Sequence, residues 1–137
     1  MQKQSTNFTT IHDEEYANLV TFRKNGSAVA TPIWFAQDQG NGLLYIETGK
    51  DSGKVKRIRH TARVTLAPCN ARGKITGEAI EGRARVVTDV QETFIAKGAL
   101  HRKYGLRRQV LYFMMEAVRI LRRQPDEQSA YLAIEPV

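Results

Sequence analysis

The chain has 137 residues, 42% of them hydrophobic and 26% charged, which suits one folded domain with its own core. No apolar run is long enough to span a membrane, the N-terminal MQKQSTNFTT has no apolar signal-peptide core, and the lone Cys69 excludes an intrachain disulfide. A single domain over residues 1–137, in the cytoplasm and off the membrane, is therefore expected. The 21 Lys and Arg outnumber the 14 Asp and Glu and give a net charge of +7, which favours an anionic partner: a phosphorylated cofactor, nucleic acid or an acidic tail.

In chain order, residues 16–23 read as a strand through Leu19, Val20 and Phe22, and Asn25-Gly26 is a strong hairpin turn. A second strand, 28–36, carries Val29, Ile33, Trp34 and Phe35. Asp38-Gln39-Gly40-Asn41-Gly42 then turns the chain into a third, 43–48, and the three form an antiparallel meander. Residues 43–59, LLYIETGKDSGKVKRIR, are the most informative stretch. A strand runs into a polar loop, Ser52 stands at the N-cap position, and Lys54, Lys56 and Arg57 follow in the first turns of a helix over 52–60. Unsatisfied amides at a helix start, with cations beside them, suit a phosphate. The competing reading is a solvated basic face. Val55, Ile58 and Ala62 recur at helical spacing and point inward, while Lys54 and Arg57 share another face.

Strands over 62–69 and 79–87 flank a polar loop at 70–77. Asp89 caps a helix over 89–104 whose Val90, Phe94, Ile95 and Ala99 mark the inward face, and Gly105 ends it. A second helix, 106–123, carries an apolar stripe of Val110, Leu111, Met114, Met115, Val118 and Leu121, and Pro125 stops it before a last strand over 130–134. Six strands with hairpin connections and a late returning strand remove their edges best by closing into a small barrel dressed with helices, an α+β arrangement that is mainly β.

Catalytic side chains are sparse. Cys69 lies in a strand and reads as core, and His12, His60 and His101 lack the spacing of a zinc site. The clusters Arg102, Lys103, Arg107, Arg108 and Arg119, Arg122, Arg123 read as solvated charge, the last at a helix end that favours cations.

Four segments carry a family resemblance: Thr31-Pro32-Ile33-Trp34-Phe35, Tyr45-Ile46-Glu47-Thr48, residues 52–59 (SGKVKRIR) and residues 63–69 (RVTLAPC). Together they resemble the pyridoxamine 5'-phosphate oxidase-like split β-barrel superfamily, most closely its deazaflavin-dependent branch, over roughly half the chain. The resemblance implies a six-stranded antiparallel split β-barrel of the FMN-binding type with flanking helices. It also implies a homodimer holding FMN or F420 in grooves between subunits, and hydride transfer to or from a small organic substrate. Lys54 would be the principal cation at the cofactor phosphate, with Arg57 beside it. Thr48 and Ser52 would bond the phosphate or ribityl chain, Glu47 would lie close by, and Thr31, Pro32, Ile33 and Trp34 would line the ring.

The oxidases themselves grip substrate with a C-terminal Arg/His segment, whereas these residues end AYLAIEPV, so vitamin B6 oxidation is not expected. Because the cofactor supplies the chemistry, no triad is required. A proton donor could come from His60, Tyr45 or water. Two alternatives stand beside this reading: a cofactor-binding protein without turnover, and a basic nucleic-acid-binding barrel. The second is disfavoured because the aromatic residues sit in apolar strands rather than among cations.

Overall fold

The period-2 alternation of Tyr16–Phe22 (β1) buries Ala17, Leu19 and Thr21 and leaves their neighbours half-exposed, so one face of this strand is committed to a core. The computed structural model describes Phe8, Ile11, residues 13–121 and residues 128–137. Its further elements are Ala28–Ile33 (β2), Ala36–Gln37 (β3), Leu44–Gly49 (β4), Gly53–His60 (α1), Arg63–Cys69 (β5), Ile80–Val86 (β6), Val90–Leu121 (α2) and Ser129–Pro136 (β7).

The seven strands form one sheet in the order β2-β1-β5-β6-β7-β4-β3, and every neighbouring pair is antiparallel. Its two outermost strands, β2 and β3, are separated in sequence only by Trp34 and Phe35. One run of chain therefore leaves one end of the sheet and arrives at the other, which requires the sheet to curl into a split barrel.

That geometry corrects the expected strand count and the expected meander. Residues 28–37 make two strands, not one, giving seven in place of six, and β4 pairs with β7 and β3, not with β2. The break has a visible cause. The Tyr104 hydroxyl accepts from the Phe35 amide at 2.9 Å and lies 2.8 Å from the carbonyl oxygens of both Phe35 and Glu15. A side chain takes over the backbone bonds that a continuous ladder would have used.

Two apolar clusters result. Inside the curl, Leu19, Leu44, Ile46, Leu66, Leu132 and Ile134 pack with Val55 and Ile58 of α1. On the outer face, Tyr45, Tyr131 and Ala133 pack under α2. Where β4 and β7 are covered on both faces, residues 44–46 and 131–134 form unbroken buried runs.

The two predicted helices are joined in α2 by Gly105, whose φ of 54° and ψ of −130° lie in a region that only glycine adopts readily. The inward face of the first segment differs from expectation. Val90, Phe94 and Ile95 are exposed; Ala99 faces the sheet as expected, and Ala96, Leu100 and Tyr104 join it there. Tyr45 and Tyr131 project beneath the helix, so alanines seat it there. The second segment leaves Val110, Met114, Met115 and Val118 exposed, so these four members of the predicted stripe are not part of the described core, and the side chains of Leu111 and Leu121 lie outside the described ones. Arg122, Arg123 and Pro125 lie outside the described residues. Ala62, expected to pack inward with Val55 and Ile58, follows the helix and is exposed.

Lys103 departs most from its reading as solvated charge. Its ammonium is shut off from solvent without a hydrogen-bond partner and lies 3.6 Å from the centre of the Phe35 ring. Burial pushes its pKa down to about 8, although the carboxylates of Asp13, Glu14 and Glu15 pull the other way. The folded chain therefore releases this proton near pH 8, whereas the unfolded chain holds it to about pH 10.4. Between those values the unfolded state binds more protons, so this group makes stability rise with pH across the window. Lys103→Met should stabilise the protein at neutral pH by about 1–2 kcal/mol, after allowance for the part-exposed stem, and should remove that rise. Urea midpoints of the two proteins at pH 7 and about pH 10 test this, and parallel pH profiles would refute it.

Candidate functional site

β4 ends where its inner-face residue Thr48 meets the turn into α1. The Ser52 backbone amide donates to the Gly49 carbonyl at 3.1 Å, closing that turn. Ser52 is the N-cap expected: its backbone is extended and its Oγ accepts from the Val55 amide at 3.3 Å. The Thr48 hydroxyl lies 3.2 Å from the same oxygen. With Thr48 as donor, Ser52 Oγ accepts two bonds and keeps its own proton to give away. The first turn contains no acidic residue, so the positive end of the helix is left uncompensated by its own side chains.

Arg57 completes this arrangement. Its Nε donates to Thr21 Oγ1 at 2.6 Å, across from β1. The guanidinium folds back along its own helix so closely that a Cβ on Gly53 would lie 2.6 Å from Nη1. Glycine at position 53 is what leaves room for it. No carboxylate pairs with Arg57 among the described residues. Burial, and then repulsion from Arg23, lower its pKa below that of a free arginine. A partly desolvated cation without a counter-charge is favourable only where something else offsets it, and an anion at the helix start would do so.

Beside Arg57 an open groove of about 380 Å³ runs between α1 and the β1–β2 hairpin. Arg23 and Lys24 line one side, Lys56, Arg57, Arg59 and His60 the other, with Phe22 between them. Lys56, pointing away from Lys54 as helical geometry requires, thus belongs to the groove. Lys54 is half-buried in the first turn and already has a contact of its own.

The sheet divides the other predicted site residues between its two faces. Thr31 lies opposite Leu19 and Ile33 opposite Ala17, so both stand on the inner face with Thr21. Pro32 is exposed and faces the other way. Glu47 also lies on the outer face and accepts from the Tyr131 hydroxyl at 3.1 Å. Trp34 stacks on Tyr104, with ring centres 4.7 Å apart and planes 11° apart, and Tyr16 tilts against it at 6.4 Å. The structure therefore brings Thr48 and Ser52 into contact at the start of α1, with Arg57 folded back over Gly53. It places Trp34 and Glu47 on the opposite face.

Of the suggested proton donors, Tyr45 is committed elsewhere. Its hydroxyl donates to Glu92 at 2.8 Å and accepts from Asn41 at 2.9 Å. Burial, followed by the Glu92 bond, pushes its pKa up to about 12. Arg85 holds Glu92 with two bonds of 2.6 and 2.7 Å and keeps that carboxyl below its ordinary range. His60 is exposed at the end of α1 and lines the groove. Cys69 is buried, and burial raises its thiol pKa, which suits a core residue. No group of His, Cys, Asp and Glu among the described residues could hold a metal ion. No helix there is long and apolar enough to cross a membrane.

Thr21 and Arg23 were missed from sequence. Thr21 had left a signal: it continues the inward series of Ala17 and Leu19, so a hydroxyl was already placed on a core face.

The fold has known relatives. Among curated proteins none matches the chain in sequence. Solved structures do match its fold. An F420 reductase superposes with a TM-score of 0.55 at 16% identity, covering 98% of this chain and 96% of the other. A pyridoxamine 5'-phosphate oxidase-related, FMN-binding protein of Nostoc punctiforme gives 0.53 at 16%, covering 96% and 75%. HutZ, the heme storage protein of Vibrio cholerae, gives 0.60 at 10%, covering 90% and 82%. One split barrel thus serves proteins of different ligand chemistry, and at these identities the likeness establishes the fold alone. The pyridoxamine 5'-phosphate oxidase family model matches residues 5–132, nearly the whole curled sheet together with both helices, and the chain belongs to that family.

Proposed function

We propose that the protein binds FMN or F420 with the cofactor phosphate at the start of α1, and acts as an oxidoreductase on a small organic substrate. The observation that carries this reading is Arg57: a guanidinium held by Thr21, folded over Gly53 and lacking a carboxylate partner among the described residues, at a helix start capped by Ser52. These residues fit a phosphate. Ser52 has a proton to donate, the first-turn amides contribute the positive end of the helix dipole, and Arg57 offers its remaining N–H donors. Thr48 orients Ser52, and Lys54 adds charge in the same turn.

When bound, the cofactor ring supplies hydride transfer; the chain's part is to hold, orient and shield it. Thr31 and Ile33, on the same inner face as Thr21, are the residues proposed to line the ring, whereas Pro32, Trp34 and Glu47 stand on the other face of the sheet.

We assign the same site to a homodimer. Val110, Met114, Met115 and Val118 form an apolar surface on α2 that this chain does not cover, and a second copy would bury it. The nucleic-acid reading loses support from the burial of Phe35 and Tyr45 and from the stacking of Trp34 on Tyr104, because none of the three is left as an open platform for bases.

Titration of the purified protein with FMN and with F420, followed by absorbance and fluorescence, tests the proposal. Saturable binding of one of them, by a species of twice the chain mass in light scattering, is expected. Binding of neither would overturn it, and a Soret band on adding heme instead would direct attention to a different ligand. Reoxidation of the reduced cofactor on adding substrate separates an enzyme from a carrier.

A further inference from the structure

Thr21 is 1% exposed and, the tyrosines aside, is the only buried polar side chain among the described residues. A hydroxyl on a core face needs a reason, because burying it without a partner would destabilise the fold. Its partner is Arg57 Nε, at 2.6 Å, from a helix 36 residues further along the chain. The bond fixes one edge of the guanidinium. The bare Cα of Gly53 lets the other edge, Nη1, lie against the first turn of α1. Arg23 pushes on the same charge from the hairpin side. An arginine side chain has four rotatable bonds and ordinarily explores many rotamers; here a hydroxyl, a missing side chain and a like charge act on it together.

We infer that Thr21 and Gly53 are positioning residues, which hold the Arg57 guanidinium over the start of α1 so that its free N–H groups are preorganised for a phosphate or similar oxyanion. The inference rests on the phosphate reading above, and it assigns a role to the Thr21 hydroxyl and to the bare Cα of Gly53, neither of which would itself bond the ligand. Neither is replaceable by its nearest relative in size: valine at 21 keeps the volume and removes the acceptor, and alanine at 53 occupies the space that the guanidinium needs.

The test uses Thr21→Val, Thr21→Ser, Gly53→Ala, Arg57→Ala and the double variant Thr21→Val/Arg57→Ala, each titrated with FMN and F420, and with inorganic pyrophosphate as a bare anion. Thr21→Val should weaken binding about tenfold, the scale of one charge-assisted hydrogen bond, whereas Thr21→Ser should stay within about twofold. Gly53→Ala should weaken it as well. The double variant should bind no worse than Arg57→Ala, because Thr21 acts through that side chain.

A second readout needs no ligand. The Arg57 Nε–H resonance, protected from exchange in the wild-type protein and in Thr21→Ser, should lose protection in Thr21→Val. If Arg57→Ala weakens binding and Thr21→Val does not, or if the two losses add, the positioning role is overturned while the phosphate site stands. If Arg57→Ala binds as the wild type does, or the wild type binds none of the three probes, the site reading fails and this inference with it.

Discussion

Replacing Arg57 with alanine is expected to weaken FMN or F420 binding by about 10- to 100-fold, the range for loss of hydrogen bonds from a charged donor to an oxyanion. The argument starts from the free protein. Arg57 already meets the desolvation penalty of its position, is repelled by Arg23, and has only the Thr21 hydroxyl in return. A phosphate supplies the missing counter-charge without having to reorganise the side chain, so the full interaction is gained on binding. The unliganded protein should change little. Removing an unpaired, partly buried charge relieves repulsion but leaves the buried Thr21 hydroxyl without its partner, so the two effects oppose each other and Arg57→Ala should leave thermal stability within about 1 kcal/mol of wild type even as affinity falls. Equal losses in stability and affinity would mean that Arg57 is a structural staple between β1 and α1. Lys54→Ala should weaken binding by about 1–3 kcal/mol. Raising the salt should weaken binding in the wild type more than in Arg57→Ala, because one fewer cation takes part.

How much of this site was legible in the sequence depends on the range of the interactions involved. Ser52 as N-cap, Val55 and Ile58 as the buried face of α1, the Asn25-Gly26 hairpin and the stop at Gly105 are local signals, set by backbone chemistry within a few residues, and each was readable. The order of strands was not. Whether residues 28–37 form one strand or two is decided by Tyr104, more than 60 positions away in the chain, and hydrophobic patterning carries no information about a hydroxyl arriving from a distant helix. For the same reason Arg57 and Lys54 looked alike in sequence, each a cation near a helix start. What separates them is Thr21, a partner contributed by another strand, and the absence of a side chain at Gly53. Lys103 misled in the same way: four cations around a glycine read as a solvated cluster, yet one of them is folded under against Phe35.

The second large effect concerns that distant contact. Tyr104→Phe is expected to destabilise the protein by about 2 kcal/mol, lowering the thermal midpoint by several degrees, although only one oxygen atom is removed. The hydroxyl accepts from the Phe35 amide and can donate to the carbonyl of Phe35 or of Glu15, so it satisfies both backbone groups of the residue at which β2 gives way to β3. Phe35 is fully buried, and without the hydroxyl its amide loses the partner that the fold gives it, in a place closed to solvent. A phenylalanine would preserve the stack on Trp34 and the packing against Ala36, which isolates the hydrogen bonds from the aromatic contact. The consequence reaches further than stability. Trp34 and Phe35 carry the chain from one end of the sheet order to the other, and Thr31 and Ile33, proposed to line the cofactor ring, lie just before them. Loosening this crossing should therefore raise amide exchange at residues 31–37 before it affects β5 or β6, and should weaken cofactor binding less than Arg57→Ala does, because the phosphate end of the site is held independently by β1 and α1. Uniform exchange across the sheet would show instead that the crossing opens only with the whole fold.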